Sequence, residues 1–309
     1  MLSMKEIHTL LTGRLGNQLF QYAFARNLQK QYGGQIYCDV YELEHRMSKV
    51  ADEKFSYAMG GFKLDANVIR EDKAFPWYAD FSNLVIKPVK KVMPRKYFES
   101  MAKRGYLMWQ RSDYMPIPVL DAERIFASGW WQDIRYLQDV QKELSDEIVP
   151  ITRPLMENKY VYDVARDKES VCISIRCGNY FNPTVKKLLY VCNPQYFHDS
   201  IERISQMLNH PKFIVFTDDV KWVKEHLKFE DAYPQYEFLY ERGCDTVEEK
   251  IRMMTMCNNF IISNSTFSWW AQFLSKNDNK IVIAPDKWFV DGRKIGLYMD
   301  SWTLVPAGC

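Results

Sequence analysis

An alternation of apolar strands and amphipathic helices in the second half of the chain constrains the fold most strongly. Each strand is a short run rich in Val, Ile and Phe, and polar residues that can open a helix follow most of them. The predicted strands cover residues 170–176, 212–217, 236–240, 260–263 and 280–284, and the predicted helices start near residues 193, 219, 247 and 267. Five strands alternating with four helices predict a doubly wound parallel sheet, in which ligands bind beyond the carboxyl ends of the strands.

The first residues repeat this unit around the stretch LLTGRLGNQLFQYAFARNLQ at 10–29. A strand at 7–12 leads through a loop with Gly13 and Gly16 to a helix whose apolar residues recur at helical spacing. The glycines permit a tight turn and close approach of a ligand to the backbone. The spacing is G-x-x-G and lacks the G-x-G-x-x-G pattern of dinucleotide folds, so the loop also fits an ordinary strand-to-helix turn.

The rest of the first half is less regular. A second strand is predicted at 35–40, then an irregular, aromatic-rich stretch to about residue 128, then a helix introduced by GWWQDIRYLQDV. The segment VPITRP at 149–154 carries two prolines and suits a hinge. We therefore expect an α/β protein of two Rossmann-like domains facing a cleft, residues 1–150 and 151–309, with a parallel sheet in the C-terminal domain.

Composition excludes several classes of function. A formal charge of +2 over 309 residues gives no general case for nucleic-acid binding. No run approaches the roughly 18 apolar residues of a membrane span, and the first residues lack the apolar core of a signal peptide. The seven cysteines are odd in number and contain no C-x-x-C, which favours reduced thiols in the cytosol. With five histidines, no H-E-x-x-H and no D-x-D triplet, no metal site is expected.

Two strand ends in the second half carry charge. Arg176 follows the first of these strands directly, and Gly178 leaves backbone room beside it for a ligand. A guanidinium can bind a phosphate through two hydrogen bonds, although a surface ion pair is the alternative for Arg176. Asp218 and Asp219 follow the next strand, where they can cap a helix or accept hydrogen bonds from a sugar.

A third strand end, in SNSTFSWW at 263–270, is crowded with small polar side chains. Asn264, Ser265, Thr266 and Ser268 lie at a strand-to-helix turn, where hydroxyl groups and free helix amides can bind an anion without a metal. Simple capping of the helix is the alternative. An arginine, an anion-sized nest and acidic residues at one sheet edge suit a transferase whose donor leaves as a diphosphate.

Four segments together resemble the bacterial α-1,2-fucosyltransferases of glycosyltransferase family 11: GRLGNQLFQYAFARNL, GWWQDIRYL, FIVFTDDVKWVKEHL and IISNSTFSWWAQFL. They occur in the order of the family and extend over residues 13–274. The resemblance implies a GT-B fold of two Rossmann-like domains, an inverting mechanism and GDP-fucose as donor, with no metal or other cofactor. It further implies transfer of L-fucose to O2 of a galactoside in a cell-surface glycan, which is polysaccharide biosynthesis.

The resemblance also assigns site residues. In a GT-B enzyme the first loop faces the donor, so Arg14, Asn17 and Gln18 are expected to reach the sugar or the pyrophosphate. Asp39 and Asp218 are the alternatives for the general base, and neither is favoured by the sequence. Acidic residues at 245, 248 and 249 are candidates for reading guanine. The catalytic candidates are Arg176, Asn17, Asp218 and Asp39, and the donor-binding candidates are Gly13, Arg14, Gly16, Gln18, Ser174, Gly178, Asn264, Ser265, Thr266, Phe267 and Ser268.

One motif departs from the family. The pattern H-x-R-R-G-D-Y reads SIRCGNY at 174–180, so that Ser174, Cys177 and Asn179 replace a histidine, an arginine and an acid. A transferase that uses another nucleotide-sugar is therefore an alternative hypothesis. A glycan- or nucleotide-binding protein without turnover is a further one.

A basic segment suggests where the protein works. The run KPVKKVMPRKYFESMAKR at 87–104 holds seven basic residues and one acidic residue, interleaved with apolar ones. This pattern fits either an ordinary solvated surface or a patch that binds anionic lipid. Since bacterial surface glycans are commonly built on lipid carriers, the second interpretation predicts a lipid-linked acceptor. It also predicts a cytoplasmic protein attached peripherally to the inner face of the plasma membrane.

Overall fold

The structure, a computed structural model, describes residues 4–47, 55–72, 76, 79 and 84–308. The chain divides into two compact units, Met1–Ile148 and Val149–Cys309. The division falls at the start of the segment with two prolines at 149–154.

The described residues of the first unit form a five-stranded sheet in which every neighbouring pair is parallel. Its strands are β1 (Glu6–Leu10), β2 (Gln35–Asp39), β3 (Asn67–Ile69), β4 (Tyr106–Trp109) and β5 (Arg124–Gly129), in the spatial order β3-β2-β1-β5-β4. Its helices are α1 (Leu15–Tyr32), α2 (Lys87–Val92), α3 (Pro94–Ala102) and α4 (Gln141–Glu147). A π-helical stretch at Glu42–Met47 and 3₁₀ turns at Ile134–Tyr136 and Gln138–Val140 complete the described elements.

The prediction of an irregular stretch up to residue 128 is wrong, because this stretch contains β3, β4, β5, α2 and α3. The strands are only three to six residues long, too short for a clear alternation of apolar and polar residues. β5 also ends in small residues for a reason that its sequence does not reveal. A Cβ atom on Gly129 would lie 2.2 Å from the carbonyl oxygen of Trp109 on the neighbouring strand, so only glycine fits there.

The second unit is built on a parallel sheet with β6 near its centre. The described strands are β6 (Ser170–Ile175), β7 (Lys212–Thr217), β8 (Glu237–Tyr240), β9 (Asn259–Ile262), β10 (Val282–Pro285) and β11 (Thr303–Val305), in the order β11-β10-β9-β6-β7-β8. The helices are α5 (Lys159–Ala165), α6 (Pro183–Leu189), α7 (Pro194–Ser205), α8 (Val220–Leu227), α9 (Phe229–Ala232), α10 (Val247–Thr255) and α11 (Thr266–Leu274). The predicted parallel sheet is thus confirmed, and β11, α5, α6 and α9 are additions that are too short to stand out in the sequence.

Two of the predicted helix starts have the expected caps. The Asn193 side chain accepts a hydrogen bond from the Tyr196 amide at 3.0 Å, and the Asp219 side chain accepts one from the Trp222 amide at 2.9 Å. Each bond satisfies an amide that has no acceptor inside its own helix. Asp219, and not Asp218, is therefore the cap of α8.

A buried carboxylate ties the start of the second unit to α10. Glu249 accepts hydrogen bonds from the Leu155 amide at 2.9 Å, the Asn158 amide group at 3.2 Å and the Tyr162 hydroxyl at 2.5 Å. The Nε atom of Arg252 lies 3.0 Å from the same carboxylate. Glu249 is thereby occupied in holding the fold, which argues against its predicted role in reading guanine.

The six cysteines at positions 38, 172, 177, 192, 244 and 257 are free thiols. None of the described helices is long and apolar enough to cross a lipid bilayer.

Candidate active site

Three strand ends meet at the middle of the second sheet. β6 lies between β7 and β9, and Ser174 is paired with Phe216 on one side and with Ile262 on the other. The residues that follow these strands, Arg176, Asp218 and the segment 263–268, therefore lie at one edge of the sheet. From β6 the chain continues to β7 and β8 on one side of the sheet, whereas β9, β10 and β11 lie on the other side of β6. The strand order therefore reverses between β6 and β9, and sheets of this kind bind ligands at such a switch point.

An ion pair dominates this edge. The guanidinium of Arg176 lies 2.5 Å from Oδ2 of Asp218, and the two side chains are only 20% and 28% exposed. Oδ1 of Asp218 accepts a hydrogen bond from the Cys177 amide at 2.7 Å. Both oxygens of Asp218 are thus engaged, and together they fix the guanidinium and the backbone directly after β6.

Gly178 permits this arrangement. A Cβ atom at position 178 would lie 2.4 Å from Oδ2 of Asp218 and 3.6 Å from the guanidinium carbon of Arg176. Since the first distance is far inside van der Waals contact, any larger residue would displace the carboxylate. The glycine is required by the ion pair, in addition to any room that it leaves for a ligand.

The turn after β9 is held from two sides. Asn264 is buried, and its Nδ2 atom donates to the carbonyl oxygens of Leu189 at 2.7 Å and Trp288 at 2.8 Å. The Tyr180 hydroxyl donates to the carbonyl oxygen of Asn264 at 2.9 Å. The predicted contact of Asn264 with the donor stays a prediction, but its amide group is used to shape the turn.

Helix α11 begins at this turn with polar groups at its open end. Ser265, Thr266 and Phe267 are partly exposed, and the Ser265 side chain at the cap position forms no capping hydrogen bond. Ser268 is buried, and its Oγ atom lies 2.7 Å from that of Ser174 and 3.1 Å from that of Ser263. The amides of a first helical turn point outward without acceptors in the helix, so this end of α11 can bind an anion.

Neutral groups surround the ion pair. Burial raises the pKa of the Cys177 thiol to about 12 and that of the Cys192 thiol to about 12. Burial likewise raises the pKa of the Tyr180 phenol above its usual value. These three side chains therefore carry no charge near neutral pH and do not neutralise the guanidinium of Arg176. The side chain of Asn179 lies outside the part that the structure describes.

The first unit holds the other group of predicted site residues, in the loop between β1 and α1. Gly13 has a φ of +72°, which favours glycine, and a Cβ atom there would lie 2.4 Å from Nδ2 of Asn17. Arg14 is exposed at the cap position of α1, and Gly16 is buried in its first turn. The loop thus presents Arg14 and, in part, Asn17 to its surroundings.

Gln18 is buried, and its hydrogen bonds hold this loop in place. Its Nε2 atom donates to the carbonyl oxygens of Gly13 and Ser56, both at 2.9 Å, and its Oε1 atom accepts from the Ala58 amide at 2.9 Å. Its predicted contact with the donor stays a prediction. In the structure the side chain joins the loop to the segment that begins at residue 55.

Two further glutamines, which no motif of the sequence marks as site residues, also hold this loop in place. Gln21 accepts from the Thr12 amide at 2.9 Å and donates to the Gly129 carbonyl oxygen at 3.2 Å. Nε2 of Gln132 donates to Oδ1 of Asn17 at 3.0 Å. Both glutamines lie in segments that carry the family resemblance. A polar side chain between apolar neighbours is the feature of the sequence that could have identified them.

Asp39 ends β2 beside this loop. It pairs with Leu10 of β1, is buried, and accepts a hydrogen bond from the Tyr41 amide at 3.2 Å. Asp39 lies at the carboxyl end of the first sheet, and its role as a general base stays a prediction. The structure thus gathers the predicted residues into two groups, one in each unit.

Metal ligands are not clustered in either group. Across residues 4–47, 55–72, 76, 79 and 84–308, no set of three or more His, Cys, Asp and Glu side chains could hold a metal ion. Transfer without a metal remains a prediction.

The chain is similar to known proteins in sequence and in fold. The chain is 30% identical to an Escherichia coli alpha-1,2-colitosyltransferase over 287 residues, covering 90% of this chain and 91% of the relative. It is 26% identical to the O-antigen biosynthesis glycosyltransferase WbnK of the same organism, covering 96% and 99% of the two chains. The solved structure of NodZ alpha-1,6-fucosyltransferase soaked with GDP-fucose superimposes with a TM-score of 0.50 at 14% identity, covering 92% and 95%.

The structural similarity shows a fold of the GT-B type, as the sequence predicts. The family model named Glycosyl transferase family 11 matches residues 6–305, which is nearly the whole chain. The chain therefore belongs to glycosyl transferase family 11 and is a glycosyltransferase.

Proposed function

We propose that this glycosyltransferase moves L-fucose from GDP-fucose to O2 of a galactoside in a cell-surface glycan, with inversion of the anomeric centre. The observation that carries the proposal is the guanidinium of Arg176, held by Asp218 at the switch point beside the open end of α11. A fixed cation and a helix N-terminus at one sheet edge suit a diphosphate leaving group.

In this mechanism the bond between the anomeric carbon and the β-phosphate oxygen breaks as the acceptor oxygen attacks. The negative charge that develops on the diphosphate is stabilised by Arg176 and by the first amides of α11, with Thr266 and Phe267 in that turn. Arg176 is already fixed before the reaction, so little reorganisation accompanies the change in charge. Ser174 and Ser268 line the base of the turn and support its position.

The acceptor hydroxyl must lose a proton to a base. Asp218 suits this role poorly because both of its oxygens are engaged with Arg176 and the Cys177 amide. We therefore assign Asp218 to positioning Arg176 and retain Asp39 as the proposed base. Asn17 and Arg14 are proposed to contact the sugar from the loop after β1.

A second candidate donor is GDP-colitose, which differs from GDP-fucose by one missing hydroxyl group on the sugar. The 30% identity to an alpha-1,2-colitosyltransferase favours it. Ser174 and Cys177 replace a histidine and an arginine of the fucosyltransferase pattern, and a change of sugar is a reason to lose polar groups at the donor. The rest of the proposed mechanism is the same for either donor.

Release of free nucleotide from matched donors tests the proposal. GDP-fucose, GDP-colitose and a UDP-hexose are compared with a soluble galactoside as acceptor, and thermal shifts with GDP, UDP, TDP and CMP identify the nucleotide. Turnover with a GDP-linked sugar and analysis of the product linkage support the proposal. A thermal shift with GDP but no release from any donor indicates a binding protein without turnover.

Two variants separate the donors. Ser174→His restores the side chain of the fucosyltransferase pattern, and Ser174→Ala is its control, since it removes the hydroxyl that contacts Ser268 without adding a ring. If the native donor is GDP-colitose, the histidine variant should lose activity on it relative to GDP-fucose, and the alanine variant should not. An unchanged preference would show that position 174 does not contact the sugar.

The acceptor and the place of action are also proposals. We propose a glycan acceptor carried on lipid and a cytoplasmic enzyme, supported by the 26% identity to a glycosyltransferase of O-antigen biosynthesis. Transfer to a lipid-linked glycan in preference to the same free glycan is the test.

A further inference from the structure

Residues 84–96 of the first unit form a surface on which apolar and basic side chains alternate, here called the basic–apolar surface. Five large apolar side chains are exposed on it, and Leu84 and Val92 are 74% and 75% exposed. Residues 84–98 contain five Lys and Arg and no Asp or Glu. Exposed apolar side chains on a purely cationic segment are uncommon on a surface that meets only water.

The fold holds this surface in place from below. Ile86, Tyr97 and Met101 are buried and pack on one another, with Tyr106 of β4 against them. Phe98 is fully buried and contacts Trp109 edge to face, with ring centroids 5.7 Å apart. These residues pack α3 against β4, and Ile86 joins the start of α2 to the same cluster. Val89 and Val92 therefore belong to a helix, and Leu84 and Val85 belong to the turn before it.

A cavity of about 290 Å³ continues the surface toward the carboxyl end of β4. Arg95, Lys96 and Arg111 contribute cations to its wall, and Asp113 contributes a single carboxylate, which pairs with Arg111 at 3.0 Å. The guanidinium of Arg111 also lies over the ring of Trp109, 5.6 Å from its centroid. The cavity therefore has an aromatic wall and an excess of positive charge, which suits a phosphate group.

We propose that the basic–apolar surface binds the protein to membranes of anionic phospholipid. The exposed apolar side chains enter the boundary between headgroups and acyl chains, and one headgroup phosphate occupies the cavity. The exposed cations Lys87, Lys91, Arg95 and Lys96 face the lipid phosphates, whereas the amine of Lys90 is buried over the ring of Tyr97. A nucleic acid would use the cations but would leave the apolar side chains of Leu84 and Val92 in water, so a lipid surface accounts for more of the observations. This inference does not rest on the proposed donor or reaction.

Cosedimentation of the whole protein with vesicles tests the proposal. Vesicles of phosphatidylcholine with and without phosphatidylglycerol are compared at low salt and at about 0.5 M salt, where the Debye length falls to a few Å. We expect binding to the anionic vesicles alone and its loss at high salt. Replacement of the four exposed cations Lys87, Lys91, Arg95 and Lys96 by Gln should lower the partition coefficient by at least about 100-fold, since each cation near the surface contributes several-fold.

A matched control removes four other exposed lysines: Lys142, Lys168, Lys221 and Lys276, all to Gln. It has the same net charge as the test variant and should bind anionic vesicles almost as the native protein does. Leu84→Ser together with Val92→Ser should weaken binding about tenfold while leaving the salt dependence intact. Arg111→Gln should weaken binding about fivefold through the cavity.

Several results would overturn the proposal. Equal loss of binding in the control and test variants would show that the net charge of the protein, and not the basic–apolar surface, determines binding. Equal binding to neutral vesicles, or no binding to anionic ones, would show that the basic–apolar surface does not bind anionic phospholipid. Binding to single-stranded DNA in place of vesicles would assign the cations to another polyanion. Unchanged binding after Leu84→Ser and Val92→Ser would show that the apolar side chains do not enter the membrane. None of these measurements requires turnover, so they are independent of the proposed reaction.

Discussion

Replacement of Arg176 by alanine is the sharpest test of the proposed active site. The side chain is 20% exposed and its guanidinium is fixed by Asp218 at 2.5 Å, so it is organised before any donor binds. A preorganised charge on a developing oxyanion is typically worth about 3–4 kcal/mol in the transition state. We expect kcat to fall by about 100-fold or more.

The effect on stability should be much smaller. The pair is partly solvated, and without Arg176 the carboxylate of Asp218 still accepts the hydrogen bond from the Cys177 amide. A cost of about 1–2 kcal/mol is expected for such a pair. For a unit of this size that corresponds to a fall in Tm of about 2–8 °C. Arg176→Lys should lie between the native protein and the alanine variant, because it keeps the charge and loses the two-pronged geometry.

Release of GDP under saturating donor measures kcat, and differential scanning fluorimetry of the same samples measures Tm. The matched control is Arg293→Ala, which removes an exposed arginine that also pairs with an aspartate, at 2.9 Å. The control should leave kcat unchanged. Near-normal turnover by a folded Arg176→Ala protein would refute the assignment of this residue to the leaving diphosphate.

Three further outcomes are expected. Gly178→Ala should reduce kcat at least about tenfold without unfolding the protein, because the new Cβ displaces Asp218, whereas Gly60→Ala, where the nearest atom is 3.4 Å away, should have no effect in the same nucleotide-release assay. Turnover should persist in excess EDTA, and its loss on chelation with recovery on adding Mg²⁺ or Mn²⁺ would reveal a metal site. Burial acts to raise the pKa of Glu249, but hydrogen bonds from Tyr162 and its other partners outweigh this and hold the pKa below the ordinary 4.5. The stabilisation by Glu249 is thus present above about pH 4.5 and is lost as the pH falls further, so thermal melts of Glu249→Gln should show a lower Tm than the native protein at pH 7 and a smaller difference at pH 3.5.

The sequence predicted the second sheet well because its strands are continuous apolar runs with helix signals between them. The rule that ligands bind at the carboxyl ends of parallel strands then correctly brought Arg176, Asp218 and the turn at 264–268 to one edge. The sequence alone could not decide which of Asp218 and Asp219 caps α8 and which pairs with Arg176. That choice depends on the position of a residue 42 places earlier in the chain, which no local pattern reports.

The first unit was predicted less well from the sequence than the second. The loop after β1 was identified through its glycines, but the sequence did not reveal that the amide group of Gln18 binds Gly13, Ser56 and Ala58. The contact of Gln18 with the donor stays a prediction. A glutamine that binds backbone and one that binds a sugar look alike in a sequence. Strands β3 and β4 were missed because three or four residues carry too little periodicity to be distinguished from a loop.

The hydrogen bonds of Glu249 also determine where the chain can be divided for the construction of chimeras. They join the stretch 155–162 to α10, and Arg252 adds a bond to the carbonyl oxygen of Thr152 at 2.5 Å. A second half that is transplanted from one family member into another must therefore start before Thr152. A later junction would remove the native acceptor of Arg252 and, from residue 155 onward, the native donors of a buried carboxylate. A junction near Val149 keeps the whole network on one side, so that the half with Arg176 and α11 can be inherited as a single block.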